Sequence, residues 1–346
     1  MKKLIKRLLL GLLILLLIFA GYLFIGRVKP AEKITWGVNF SQKHAELLGL
    51  DWKETYAALI DDLGVRNLKV AAQWDLIEPE KDKYNFEDLG WQIQKAEQSG
   101  AKILLVIGMK TGRWPECHSP GWAKGLSKKD QQKEILEIIE KTVLNYRNSA
   151  SIEMWQVENE PFFPFGECPW VDKKFLEEEI KLVKNLDPLK RQVAISDSGE
   201  GSFWIRSAQF GDIAGTTMYK KVWFSFAWEK RKLPFFPQDM GFYISYPIPP
   251  VFYWRKAQII KRIFDKKVIV VELQAEPWGP ALLYGSPLSE QEKTMNLERF
   301  KYNIEFAKKT GLDTFYLWGG EWWYWMKTKQ NNSDVWQEAK KLFIEN

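Results

Sequence analysis

The 346-residue chain is poor in residue types that several functions require. It has only two histidines, and zinc sites of the hydrolase type usually take two or three imidazole ligands, so we predict no metal site. Six of its 50 basic residues lie in residues 1–30, which contain no acidic residue, and the other 44 balance the 44 acidic residues. Residues 31–346 are therefore formally neutral. They lack the basic excess that a nucleic-acid-binding face needs, and we predict that the protein does not bind nucleic acid.

A long apolar segment follows four basic residues at the amino terminus. The run Leu8–Ile25 contains 18 apolar or small residues without interruption. Because about 20 apolar residues span a bilayer and basic flanks stay cytoplasmic, it predicts a single-pass helix with its amino terminus in the cytoplasm. The alternative is a cleaved signal peptide, whose apolar core is normally only ~7–15 residues long. We predict an anchor over residues 1–30 and an extracytoplasmic domain over residues 31–346, in a periplasm or at the cell surface.

From residue 31 onward, short β-rich runs alternate with helical patterns, which predicts βαβ units and a parallel sheet. Eight such units match the α/β fold of a (β/α)8 TIM barrel. The alternative is an open doubly wound sheet, which usually has a Gly-rich phosphate loop after its first strand, and the chain has none there. The predicted strands are Ile34–Asn39, Asn67–Ala72, Lys102–Gly108, Ile152–Val157, Gln192–Ser196, Ile213–Tyr219, Val268–Leu273 and Thr314–Trp318. The predicted helices are Trp52–Leu63, Glu87–Ser99, Lys129–Tyr146, Val171–Asn185, Ser202–Ala208, Val251–Phe264, Glu290–Lys309 and Asp334–Ile344.

An insertion at about residues 223–250 follows the sixth predicted strand and carries five prolines and nine aromatic residues. A segment of that length without a helix or strand is uncommon in a compact domain and is usually functional or disordered. Its aromatic content argues against disorder. Two interpretations stay open, a lid over the barrel mouth and a surface that rests on the membrane.

Carboxylates close two of the predicted strands. The fourth strand runs into Glu158-Asn159-Glu160, and the seventh ends at Glu272, with Glu276 four residues later. Active sites of TIM barrels lie at the carboxyl ends of the strands, so Glu160 and Glu272 are expected to face each other across the mouth. Two carboxyls about 5–5.5 Å apart are the catalytic pair of a retaining glycosidase. We expect Glu158 to be structural, in an ion pair within the barrel.

The motif Asn159-Glu160-Pro161, together with a Glu that closes the seventh strand, resembles the clan A glycoside hydrolases, which include families 5, 39 and 42. The segment from Gln73 to Pro79, followed by Tyr84-Asn85-Phe86, resembles the clan's sequence after its second strand. The resemblance covers residues 34–325 and is specific for the clan rather than for one family.

The resemblance implies a role for each matched residue. Glu160 would be the general acid/base, Glu272 the nucleophile, and Asn159 the ligand of the sugar 2-hydroxyl. Tyr219 would hydrogen-bond the nucleophile, and Trp318 would form the floor of the sugar subsite. The clan's arginine on the second strand falls near Lys69, and its active-site histidines have no evident counterpart beyond His44 and His118. Both departures bear on family and substrate.

The chain contains 18 tryptophans, and aromatic faces stack on sugars. We expect Trp74 and Trp278, near predicted strand ends, to line a saccharide cleft, and Glu276 to reach the same mouth. Trp114 and Trp170 are further candidates, and the run Trp322-Trp323-Tyr324-Trp325 is too dense to lie wholly in the core.

The two cysteines lie in loops that follow neighbouring strands of the predicted barrel. Because the exported compartment permits disulfides, we predict a bond between Cys117 and Cys168 at the rim of the site.

The leading hypothesis is a membrane-anchored retaining β-glycosidase that acts on a β-linked saccharide without a metal or organic cofactor. Two alternatives are a carbohydrate-binding barrel that has lost catalysis and a transglycosylase that uses the same residues. The sequence leaves the sugar, the linkage, endo or exo action and the oligomeric state open.

Overall fold

The computed structural model of the protein describes residues 2–225 and 241–344. It begins with one helix, α1 (Lys2–Phe24), which is long and apolar enough to cross a membrane by length and composition. The side chains of α1 from Lys3 to Phe19 are exposed, whereas Leu23 is buried against the rest of the protein. A signal sequence would give the same helix, so these features do not by themselves establish an anchor.

Eight parallel strands form a closed barrel, which confirms the predicted (β/α)8 fold. The first barrel strand pairs with the second on one side and with the last on the other, which excludes the open sheet. The barrel strands are β1 (Thr35–Phe40), β2 (Asn67–Ala71), β3 (Lys102–Ile107), β4 (Ile152–Val157), β5 (Val193–Asp197), β6 (Ile213–Met218), β9 (Lys267–Gln274) and β10 (Thr314–Trp318). Each observed strand agrees with its predicted counterpart to within one or two residues.

Helices surround the barrel and connect its strands. They are α2 (Gln42–Leu47), α3 (Trp52–Asp61), α4 (Trp74–Ile77), α5 (Glu87–Gln98), α6 (Lys128–Tyr146), α7 (Lys173–Leu186), α8 (Ile205–Phe210), α9 (Pro250–Phe264), α10 (Leu288–Gln291), α11 (Leu297–Lys309), α12 (Gly320–Lys329) and α13 (Asp334–Ile344). The prediction of one helix over Glu290–Lys309 is wrong. The Asn296 side chain accepts a hydrogen bond from the backbone amide of Arg299 and starts a new helix there.

The insertion includes an antiparallel hairpin of β7 (Lys221–Ser225) and β8 (Gly241–Ser245). Residues 226–240 of the insertion lie outside the described residues, and so does much of the segment for which we predicted a lid or a membrane-contacting surface. The hairpin does not interrupt the barrel, because β6 pairs directly with β9.

Apolar side chains from several barrel strands pack together in the barrel lumen. Leu104, Ile213, Ile269 and Tyr316 are among the buried residues that pack there. Gly37 faces this layer, and a Cβ at that position would lie 2.6 Å from the Tyr316 ring, so the ring occupies the space that a side chain would need. The candidate site lies above this packed layer, toward the carboxyl ends of the strands.

Candidate active site

The carboxyl ends of β4, β6 and β9 bring together the two glutamates that the sequence singled out. Glu160 follows β4, while Glu272 lies on β9 opposite Thr217 of β6 in the strand register. The Thr217 hydroxyl donates to Glu160 Oε1 at 3.2 Å. Thr217 is therefore next to both glutamates, and the two carboxyl groups belong to one buried cluster.

Glu272 is buried and has two strong donors. Lys69 Nζ, from β2, donates to Oε1 at 2.8 Å, and the Tyr219 hydroxyl donates to Oε2 at 2.9 Å. An ammonium group and a hydroxyl are the partners that an ionised carboxylate takes. Burial and the negative charge of Glu272 raise the pKa of Tyr219 far above its usual value, so the phenol stays a neutral donor. Lys69 thus supplies the cation at the position where the clan has an arginine.

Glu160 has the opposite character. Burial and the negative charge of Glu272 raise the pKa of Glu160 to about 8, although the Lys110 ammonium opposes this shift. At neutral pH Glu160 is therefore predominantly protonated and can donate its proton. A protonated carboxyl beside an ion-paired one is the division of labour that acid catalysis of glycoside cleavage requires.

Asn159 lies between these groups. Its side-chain oxygen accepts hydrogen bonds from Lys69 Nζ at 3.2 Å and from Gln156 Nε2 at 3.0 Å. A Cβ at Gly112 would lie 3.3 Å from Asn159 Nδ2, so the amide nitrogen faces the loop after β3. The Ser196 hydroxyl is a third donor to the same oxygen, at 3.4 Å, and these donors set the orientation of Asn159.

The backbone that presents Glu160 is unusual, because Glu158 and Glu160 both have positive φ, at 58° and 44°. Such conformations cost about 1–3 kcal/mol at a residue other than glycine and occur often at functional sites. Glu158 helps to hold this turn, since its carboxylate accepts hydrogen bonds from the backbone amides of Met109 and Lys110 at 2.7 and 2.6 Å.

The expected ion pair of Glu158 is not what the structure shows. Glu158 lies beside Glu179 of α7, and both are buried. Burial and the negative charge of Glu158 raise the pKa of Glu179 well above its usual value, so Glu179 holds a proton next to the Glu158 carboxylate. The partners of Glu158 are therefore amides and a carboxylic acid rather than a cation.

A buried ionic cluster lies next to Trp318. Arg113, from the loop after β3, binds both Glu276 and Glu321, and its guanidinium lies 4.0 Å from the centre of the Trp318 ring. Burial raises the pKa of Glu276, but the positive charges of Arg113 and His44 outweigh burial and lower it to about 2. Glu276 is thus the anion of this cluster and differs from Glu272 in having an arginine partner. Arg113 was not predicted from the sequence.

Glu116 is a third buried carboxyl near the pair, and it too was missed from the sequence. Burial and the negative charge of Glu272 raise the pKa of Glu116 to about 7, against the opposing effects of Lys110, Lys69 and Asn159. Within the described residues its Oε2 has no hydrogen-bond partner. Glu116 therefore titrates near neutral pH at the edge of the site.

The loop that carries Arg113 and Glu116 is covalently held. Cys117 forms a disulfide with Cys168, in the loop between β4 and α7. The loop also folds back on itself, because the Thr111 amide donates to the Glu116 carbonyl at 3.0 Å. A single proline- and tryptophan-rich turn after β3 thus places two charged side chains at the mouth.

The aromatic predictions divide into two groups. Trp278 packs edge-on against Tyr219 with ring centres 5.3 Å apart, so it lies beside the donor to Glu272. Trp74 is fully buried, its indole donates to Glu78, and its ring packs against Trp122. Its ring is therefore not accessible to a saccharide.

The Trp322–Trp325 run lies on α12, and of its four residues only Trp325 is partly exposed. Trp322, Trp323 and Tyr324 are buried on α12, which sequence reasoning did not find. The Trp323 indole donates to the Ala275 carbonyl at 2.8 Å, so this ring packs beneath the site rather than in it. Dense aromatics were misread as cleft because periodicity alone does not separate a buried helix from a loop.

Within residues 2–225 and 241–344, no group of three or more His, Cys, Asp or Glu side chains could hold a metal ion.

Sequence comparisons place the chain near xylanases. It is 28% identical over 123 residues to endo-1,4-beta-xylanase B of Thermotoga neapolitana, a match that covers 34% of each chain. It is 24% identical over 186 residues to endo-1,4-beta-xylanase 3 of Hypocrea jecorina, which covers 51% of this chain and 50% of the relative. The matched part therefore spans only a third to a half of these curated relatives. No protein-family model matches.

Solved structures share the barrel. The crystal structure of GH5_18 from Streptomyces cattleya in complex with GlcNAc superposes with a TM-score of 0.55 and 12% identity, over 83% of this chain and 70% of that one. At this identity the likeness shows the fold alone. With the xylanase relatives, it confirms the predicted resemblance to clan A glycoside hydrolases.

Proposed function

We propose that the protein is a retaining glycoside hydrolase that cleaves β-linked glycosides, with Glu160 as general acid/base and Glu272 as nucleophile. One observation carries the proposal: two buried carboxyls at the ends of β4 and β9 share Thr217 as a neighbour yet have opposite environments. Glu160 keeps a proton, with a pKa of about 8, while Glu272 is paired with Lys69. The xylanase relatives support the same reaction class.

In the first step Glu272 attacks the anomeric carbon, and Glu160 gives its proton to the departing oxygen. The Tyr219 hydroxyl and Lys69 hold the attacking carboxylate by one oxygen each, which fixes its orientation. Asn159, oriented by Lys69 and Gln156, is positioned for the sugar hydroxyl next to the anomeric carbon.

In the second step water attacks the anomeric carbon and displaces the Glu272 carboxylate. Once Glu272 is esterified its negative charge is gone, and the main electrostatic support for the proton on Glu160 disappears. Glu160, which has already given up its proton, therefore stays ionised and removes a proton from the attacking water while the bond between the anomeric carbon and Glu272 breaks. The two displacements together retain the anomeric configuration.

We also propose that α1 anchors the protein and that residues 31–346 form one catalytic domain outside the cytoplasm. The basic residues before the apolar run support a cytoplasmic amino terminus. The Cys117–Cys168 disulfide fits an oxidising compartment. Intact mass and amino-terminal sequencing of the membrane-bound chain test the anchor, because a signal peptidase would remove α1.

The reaction is tested with the full chain in detergent micelles. A panel of aryl β-glycosides and β-linked oligosaccharides is offered, and NMR follows the anomer first formed. We expect retention of configuration, and loss of activity in both Glu160→Gln and Glu272→Gln. Glu305→Gln, on the outer surface of α11, is the matched control and should match the wild type.

Leaving groups separate the two roles. In Glu160→Gln the rate of cleavage should fall by about 10²–10⁴-fold on aryl glycosides with poor leaving groups. It should fall much less on dinitrophenyl glycosides, whose leaving group needs no acid. Activity that survives Glu272→Gln but not Glu276→Gln would assign the nucleophile to Glu276. Saccharide binding without turnover on the whole panel would refute hydrolysis and favour a binding protein. A saccharide acceptor that outcompetes water would identify a transglycosylase.

A further inference from the structure

Six large apolar side chains are exposed in loops on the face of the barrel that carries the candidate site. They come from the loops after β3, β4, β5 and β9, all at the carboxyl ends of strands. These residues are Trp114, Phe163, Val171, Phe203, Leu282 and Tyr284. Apolar groups gathered on one face mark a surface that contacts another apolar phase.

The path of α1 leads to the same face. Traced back from β1, the chain passes Gly311, where Val28 packs in the connection before β10 at the amino ends of the strands. It then runs along the start of α9, where the ring centres of Phe24 and Phe252 are 5.0 Å apart. Closer to the mouth of the barrel, Phe19 contacts Phe203 in the loop after β5, with ring centres 6.2 Å apart.

The rest of α1 continues past this rim. The 17 helical residues before Phe19 extend about 26 Å, which is most of the thickness of a bilayer's hydrocarbon core. Because Phe19 is already level with the mouth-side loops and the residues before it make no buried contact with the barrel, the apolar run leaves the protein on the side of the mouth. The Arg255 guanidinium lies 4.5 Å from the centre of the Tyr22 ring, near the point where α1 leaves the protein. Residues of these types favour the membrane–water interface.

The candidate nucleophile is close to this exit. Tyr219, which binds Glu272, is followed by Lys220, and Lys220 Nζ donates to the Ile248 carbonyl at 3.0 Å. Ile248 lies two residues before α9, the helix on which α1 packs. The catalytic cluster and the end of α1 are therefore linked by a short series of direct contacts.

We infer that the mouth of the barrel faces the membrane in which α1 is embedded, and that the substrate is the saccharide head group of a lipid in that membrane. The inference rests on the proposed function and names its substrate class. A polysaccharide in solution would have to enter between the mouth and the bilayer. The head group of a glycolipid already lies at that level, and its lipid moiety stays in the hydrocarbon.

The orientation is tested without any reaction. Tyr284→Cys, in the mouth-side loop after β9, and Leu189→Cys, in the connection before β5 at the opposite end, replace residues of similar exposure, 50% and 59%. Each full-length variant is labelled with an environment-sensitive fluorophore, the native disulfide being left oxidised, and is placed in phosphatidylcholine–phosphatidylglycerol vesicles that contain spin-labelled lipid. We expect strong quenching at position 284 and little at position 189. Quenching at 189 instead, or at neither position, would overturn the inference.

The substrate class is tested in the same vesicles. An octadecyl β-glycoside in the bilayer is compared with the water-soluble methyl β-glycoside of the same sugar at equal bulk concentration. Because both partners are confined to one surface, we expect the membrane glycoside to be cleaved on the order of 100-fold faster.

Two outcomes keep the inference and the proposed function apart. Cleavage of soluble aryl glycosides without any preference for the membrane glycoside would leave the hydrolase standing and refute the substrate class. Quenching at position 284 with no cleavage of any glycoside would support the orientation and refute the hydrolase, and with it the substrate class.

Discussion

Replacing Lys69 by methionine should destabilise the protein strongly, because it leaves the Glu272 carboxylate buried without a cation. The two side chains are 3% and 4% exposed, and the ion pair is 2.8 Å long. Removing one partner of a buried pair costs about 3–5 kcal/mol. For a domain of this size each kcal/mol lowers the melting temperature by about 2 °C, so we expect a decrease of about 6–10 °C.

The assay is thermal unfolding of the full chain in micelles, followed by tryptophan fluorescence. Lys95→Met is the matched control, because the Lys95–Asp61 pair is equally short at 2.7 Å but lies at the surface. A surface pair contributes about 0–1 kcal/mol, so the control should shift the melting temperature by no more than about 2 °C.

A double variant separates the charge from the packing. Lys69→Met combined with Glu272→Gln removes both charges, and we expect it to recover most of the loss of Lys69→Met. A melting temperature for Lys69→Met within about 1 °C of the wild type would refute the reasoning. Failure of the double variant to recover would assign the loss to packing rather than to the unpaired carboxylate.

Further predictions concern pH and the loop after β3. Since the pKa of Glu160 is about 8 and only its protonated form donates, kcat/KM should fall as the pH rises through 8; a profile flat to pH 10 would contradict this. Glu116, with a pKa of about 7, should add a step near pH 7 that disappears in Glu116→Gln. In that variant the fall near pH 8 should move to lower pH, because the Glu116 charge supports the proton on Glu160. Cys117→Ser opens a loop of sequence separation 51 and should cost about 4 kcal/mol of unfolding free energy, seen in melting curves; an equal loss in Cys168→Ser would assign it to the bond.

The barrel could be predicted because its signals are local. Each buried strand appears as a short apolar run, and several αβ connections have a glycine, such as Gly64, Gly100 and Gly311, so eight units can be counted without knowledge of any contact. Glu160 and Glu272 were found for the same reason. Each interrupts an apolar run at the end of a strand, and the fold then requires both to lie at one mouth.

Arg113 and Glu116 could not be found in this way. They lie in a turn of irregular backbone with positive φ at both residues, where no periodicity indicates which way a side chain points. Their burial depends on the disulfide and on Glu276 and Glu321, which come from the loop after β9 and from α12, far along the chain. The aromatic run on α12 was misread for a related reason, since burial of a tryptophan depends on what covers it.

The sequence by itself determined the barrel, the apolar run before it and the two glutamates at its mouth, because hydrophobic periodicity and strand ends are properties of neighbouring residues. The tertiary structure alone decided which carboxyl keeps a proton, since the environment of Glu160 is made by burial and by Glu272, 112 positions away in the chain. It also decided that α1 reaches the mouth side of the barrel, through the contacts of Phe19 and Phe24 with distant loops and helices. Charge and orientation depend on distances in space, and these exist only once the chain has folded.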